Sequence, residues 1–232
     1  MLKLSSAMLM GASLICSSVF AQSSDPVVEV VGASIEGGDC KVKDAEFKPV
    51  VEINGNGASV SFIFSNYKSI STDIENPFST CDFRTTFKFP DGITGSLTRV
   101  EYRGVASGQG TEDQVSVAGI TREYSWIGSR VRDVRSDVFG FDERRNAQII
   151  QSEAEEVEAP QFFNPRFFVL DEIKKAVIAP CFFNERTLVW NSTLFTQEPF
   201  DAPDNLIPTQ IELTSVDVSS EIKFFVEFKA CS

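Results

Sequence analysis

The amino-acid pattern predicts an all-β fold: a disulfide-stapled antiparallel β-sandwich, jelly-roll-like in form. Three observations predict it. Apolar residues recur with period two, turn residues separate the alternating runs, and Cys40, Cys81, Cys181 and Cys231 follow an export-type leader.

The leader places Lys3 before an apolar stretch from Ala7 to Phe20, and Val19-Phe20-Ala21 forms a small-residue cleavage pattern. Cleavage is expected after Ala21. Residues 22–36 then read as a polar lead-in and 37–232 as one β domain. A lipoprotein leader ending at Cys16 fits less well, because Ile15 stands where a small residue is wanted. The apolar stretch is shorter than the roughly 20 residues of a membrane span, and no later segment is a better candidate for a transmembrane helix. The expected location is secreted or periplasmic.

Along the domain, Asn54-Gly55-Asn56-Gly57 lies between Val50–Ile53 and Ala58–Phe64 and marks a hairpin. From Cys81 to Phe89, the residues Cys81, Phe83, Phe87 and Phe89 alternate with Asp82, Arg84, Thr86 and Lys88, and Pro90-Asp91-Gly92 ends the run. Further strands are expected over 97–105, 114–120, 187–195, 209–216 and 222–230. Two segments stay open. The charged insertion at about 142–160 suits a short helix or a loop. Val169, Ile173 and Val177 are spaced for either helix or strand.

Composition narrows the function. The net charge of -12 becomes -13 once Lys3 leaves with the leader. Such a field opposes nucleic acid and anionic surfaces. Histidine is absent, which excludes a Ser-His-Asp or Cys-His nucleophile and any His-ligated zinc site within the chain. No cofactor-binding motif is present. The 21 phenylalanines are expected to fill the interior. The cysteines are too dispersed for a zinc cluster and read as two disulfides. Three pairings exist; the shorter loops favour Cys40 with Cys81 and Cys181 with Cys231.

Gly37-Gly38-Asp39-Cys40, the Asn-Gly hairpin, Cys81 opening the strand that ends in Pro90-Asp91-Gly92, Tyr102-Arg103-Gly104, Ala179-Pro180-Cys181 and a last strand closing on Cys231 follow one another in order. In this the chain resembles the secreted domain-of-unknown-function family 4360 over residues 37–231. The resemblance implies a small secreted β protein and brings no activity, cofactor, ligand or site residue.

Candidate sites are sparse. The acidic run Glu153, Glu155, Glu156 and Glu158 reads as a solvated face. Glu101 between Arg99 and Arg103 reads as part of a cross-strand charge ladder and not as a catalytic acid. The stretch Asp201 to Asn205 reads as an Asx turn rather than a calcium loop. Trp190 is expected in the core, whereas Trp126 and Tyr124, near a turn at Gly128, are the expected ligand contacts. The chain is therefore expected to bind an envelope component, a glycan or a secreted protein without catalysis. The alternatives are a carboxylate-dependent enzyme acting on polysaccharide and a self-assembling structural protein.

Overall fold

A computed structural model describes residues 28–36, 50–54, 56–63, 67–72, 77–152, 161–163, 166–200, 203, 205–213 and 221–231. The described residues hold fourteen strands and no helix. In chain order they are β1 (Glu29–Glu36), β2 (Val50–Asn54), β3 (Gly57–Ile63), β4 (Lys68–Ile70), β5 (Phe78–Lys88), β6 (Ile93–Ser107), β7 (Ser116–Trp126), β8 (Arg132–Phe141), β9 (Ala147–Ser152), β10 (Gln161–Phe163), β11 (Arg166–Ile178), β12 (Glu185–Gln197), β13 (Gln210–Glu212) and β14 (Glu221–Ala230).

They form two antiparallel sheets. One runs β1-β5-β12-β7-β8-β9, and the other runs β10-β11-β6-β14-β3-β2 with β13 bridging β4 and β6. Tight connections at β5–β6, β6–β7 and β11–β12 are among those that cross between the sheets, and strand ends and their turns gather at two poles. Side chains of period two explain the layers. In β5 the buried residues are Ser79, Cys81, Phe83, Thr85 and Phe87; in β12 they alternate from Arg186 to Thr196.

The inward faces meet through aromatic rings. Phe62 on β3 lies 5.9 Å edge-on from Phe83 on β5 and stacks on Phe224 of β14 at 5.4 Å. Trp190 on β12 stacks on Phe83 at 3.9 Å. The Phe-filled interior expected from composition is thus present, with Trp190 inside it. Such contacts contribute roughly 0.5–1.5 kcal/mol per pair beyond area burial.

The structure refines three readings. Residues 29–36, expected to lie in a polar lead-in, form β1 and pair with β5 from Glu29–Lys88 to Glu36–Asp82. The described part of the charged insertion is neither helix nor loop alone: a turn at Asp142–Asn146 leads into β9, which pairs with β8. Residues 166–178 form β11, whose register against β6 shifts between Glu172 and Val177. Val169, Ile173 and Val177 all face inward, as residues four apart on one strand do under period-two alternation, and the helix alternative for this segment is excluded. Cys181 and Cys231 are joined by a disulfide with Cα atoms 5.9 Å apart. Cys81 is buried and also oxidised; Cys40, its expected partner, lies outside the described residues, as do the leader and 153–160.

Candidate functional site

Four turns or strand ends meet at one pole of the sandwich. The β5–β6 turn contributes Pro90-Asp91-Gly92, where Gly92 takes a φ of 76° that a side chain would disfavour. The β7–β8 turn contributes Ile127 to Val131, with Gly128 at φ 83° and lying against Pro180. The β11–β12 loop runs from Ala179 to Asn184, and Cys231 ends β14. Backbone bonds tie them together: Phe89 N–H to Asn184 O at 2.8 Å, Ala179 N–H to Gly95 O at 2.8 Å, Cys231 N–H to Gly92 O at 2.8 Å and Ile127 N–H to Thr187 O at 2.9 Å. The Cys181–Cys231 bridge then fastens the β11–β12 loop to the last strand.

This fastened loop holds two rings in water. Phe182 is 88% exposed and Phe183 is 70% exposed, with Ile127 at 56% on the adjoining turn. A Phe left in water forgoes about 1.5–3 kcal/mol of burial free energy, and an apolar patch held out by a rigid frame marks an interaction surface.

Trp126 and Tyr124, the expected contacts, are not on that surface. Both are only 1% exposed. Even-numbered residues of β7 point inward, so the turn at Gly128 exposes Ile127 and not its neighbour. Trp126 supports the pole from beneath: its indole N–H donates to Val177 O at 2.9 Å, and its ring lies 5.7 Å from Phe87 and 6.2 Å from Phe89. The Arg186 guanidinium covers Phe89 at 4.9 Å and donates to Ile93 O at 2.8 Å.

Tyr124 belongs to a polar network between the sheets. Arg122 donates from Nε and Nη2 to both oxygens of Asp171 at 2.8 and 2.9 Å, and from Nη2 to Asp137 at 2.5 Å. The Tyr124 hydroxyl donates to Asp171 at 2.5 Å and shares a hydrogen bond with Tyr102, also at 2.5 Å. Arg122, Asp137 and Asp171 are all at most 1% exposed. Burial disfavours the Arg122 cation, but Asp171 and Asp137 more than offset this and hold it well above its ordinary range. Burial, reinforced by Asp171, raises both tyrosines well above 10.0. Asp137 and Asp171 are carboxylates of the kind a general acid–base mechanism uses, yet both are committed to Arg122 and sealed from solvent.

No residue of this network was anticipated from sequence apart from Tyr124. A signal existed: Arg122, Asp137 and Asp171 each interrupt an inward apolar stripe, between Ile120 and Tyr124, before Phe139, and between Val169 and Ile173.

Elsewhere, Glu101 bridges Arg99 at 3.3 Å and Arg103 at 3.4 Å, pairs along the single strand β6 and not the cross-strand ladder expected. An open cleft of about 350 Å³ lies between Thr111–Val115 and the β8–β9 turn, where bonds from Asn146 and then from the Arg144 backbone hold Asp142 below its usual range. A second, of about 470 Å³, lies on the outer face of β2, β3 and β14. There the Arg99 guanidinium sits 3.8 Å over the Phe225 ring, and Glu52 is already engaged by Ser59 and Lys223. Among the described residues no group of three or more His, Cys, Asp or Glu is arranged to hold a metal ion. Asp201, Ala202 and Asp204 of the expected Asx turn lie outside the described residues.

No protein-family model matches this chain, and no curated protein matches it either.

Proposed function

We propose that this chain is an exported, non-catalytic binding domain of the cell envelope or extracellular space, and that the disulfide-fastened pole carrying Phe182 and Phe183 is its contact surface. The carrying observation is the exposure of two adjacent phenylalanines on a loop held by a disulfide to the last strand and by backbone bonds to Phe89 and Gly95. A rigid apolar contact loses little conformational entropy on binding. The disulfide supports an oxidising compartment, as the leader does, and family 4360 remains our proposed kinship on cysteine and turn placement.

The aromatic inventory shapes the ligand class. Sugar platforms favour Trp and Tyr, whose polar edges tolerate water. Here both tryptophans and all three tyrosines are buried, so an apolar envelope component is favoured over a glycan. The test exposes the purified, oxidised protein to whole envelope fractions and to a panel of insoluble polysaccharides and peptidoglycan, scoring co-sedimentation and released reducing ends. Envelope binding that is lost in the Phe182→Ser/Phe183→Ser double variant, without release of reducing ends, is the expected result. Release of reducing ends by the wild type would replace this reading with the carboxylate-enzyme alternative.

A further inference from the structure

Resting on that reading, we infer that the component met by the Phe182–Phe183 pole is the interfacial layer of a phospholipid bilayer. The argument comes from how charge is distributed along the sandwich. A net charge of -12 would repel an anionic surface if it were spread evenly, and it is not. Among the described residues around the pole, the exposed Lys88, Arg130, Arg132 and Lys229 are balanced by Glu29, Asp91, Glu185 and Glu227. At the opposite pole, in the β6–β7, β8–β9 and β12–β13 connections, Glu112, Asp113, Asp142, Glu143 and Glu198 outnumber Arg144 and Arg145.

The two poles are separated by the length of the strands. The eleven residues of β7, at about 3.3 Å each, span roughly 35 Å. The Debye length at physiological salt is about 8 Å, so the distant carboxylates are screened several times over at the apolar pole. An apolar, locally neutral tip therefore meets headgroups without the penalty implied by the total charge. The acidic pole orients the molecule with its tip inward, because the reverse approach brings carboxylates to an anionic surface. Phe182, Phe183 and Ile127 then bury their apolar surface at the boundary of headgroups and acyl chains.

The test is sedimentation of the purified, disulfide-bonded protein with vesicles of phosphatidylethanolamine and phosphatidylglycerol. The wild type is expected to partition, and Phe182→Ser/Phe183→Ser to weaken partitioning by about tenfold or more. Phe200→Ser, which alters a ring 81% exposed at the acidic pole, is the matched control and is expected to leave partitioning unchanged. Raising salt from about 0.1 M to 1 M, which shortens the Debye length from about 10 to 3 Å, is expected to change binding less than the double variant does. Wild type that fails to partition, or partitioning equally sensitive to Phe200→Ser, overturns the bilayer assignment. If vesicles fail while envelope fractions still bind through Phe182 and Phe183, a protein partner replaces the bilayer and the broader proposal stands.

Discussion

The two halves of the interior are held by different forces. Between β5, β12, β3 and β14 the layer is aromatic, with Phe62, Phe83, Phe87, Trp190 and Phe224 in contact. Between β7, β8, β6 and β11 it is crossed by Arg122, Asp137, Asp171, Tyr124 and Tyr102. The aromatic half gains free energy from non-directional burial, roughly in proportion to area. The polar half must recover the desolvation of three charges through geometry, and a buried ion cluster of this kind tends to select an arrangement more than to deepen its stability. The difference suggests that the first half drives collapse and the second fixes how β11 packs across the facing strands β7 and β8.

The largest effects come from breaking each half separately. Phe83→Ala should cost about 3–5 kcal/mol in chemical denaturation, because the cavity beneath Trp190 cannot be refilled. Arg122→Met should cost a similar 3–5 kcal/mol, because it strands two buried carboxylates. The contrast lies in rescue. Adding Asp137→Leu and Asp171→Leu to Arg122→Met is expected to recover most of the loss, whereas no polar change compensates Phe83→Ala. If the triple variant remains as unstable as Arg122→Met, the cluster contributes net stability and the contrast fails.

A smaller loss is expected from Cys181→Ser/Cys231→Ser. The bridge closes a separation of 50 residues, for which chain entropy predicts about 4 kcal/mol at most, with measured bridges commonly at 2–4. Thermal unfolding should register it, and unchanged thermal stability would show that the bridge fastens the apolar pole alone.

The smallest effect is Tyr124→Phe, at about 1–3 kcal/mol for removing a donor to a buried carboxylate. It also changes the response to alkali. The tyrosine pKa values are raised in the folded state above the 10.0 of the free side chain. Unfolding above that pH releases protons, so stability is full below about 10 and falls as pH rises toward the folded values. Denaturation midpoints measured across this range should decline in the wild type and decline less steeply in Tyr124→Phe. Equal slopes would show that Tyr124 does not carry the alkaline response.

The aromatic half was legible because Phe83, Phe87 and Phe89 alternate with the polar Arg84, Thr86 and Lys88 and end at Pro90-Asp91-Gly92. The polar half was not, because an Arg or Asp on an apolar stripe reads as a fault in the pattern until the facing sheet supplies its counter-charge. The same limit explains the misplaced contacts. Period two puts Trp126 on the face of Ile120 and Tyr124 and thus indoors, but proximity to a turn suggested exposure. Phe182 and Phe183 follow Pro180-Cys181 without alternation, so no periodicity marks their face, and they are the exposed pair of this loop.

By itself the sequence determined the strand class, the paired apolar faces, the need for cysteine bridges and the exclusion of histidine chemistry. All of these follow from local periodicity, turn stereochemistry and composition, which act over a few residues at a time. Only the tertiary structure decided which charges are buried together, which cysteine in the described chain bonds to Cys231 and which phenylalanines remain in water. These depend on strands far apart in the chain being brought side by side. The free energy of a charge or a ring is set by what faces it across the sandwich, roughly 10 Å away.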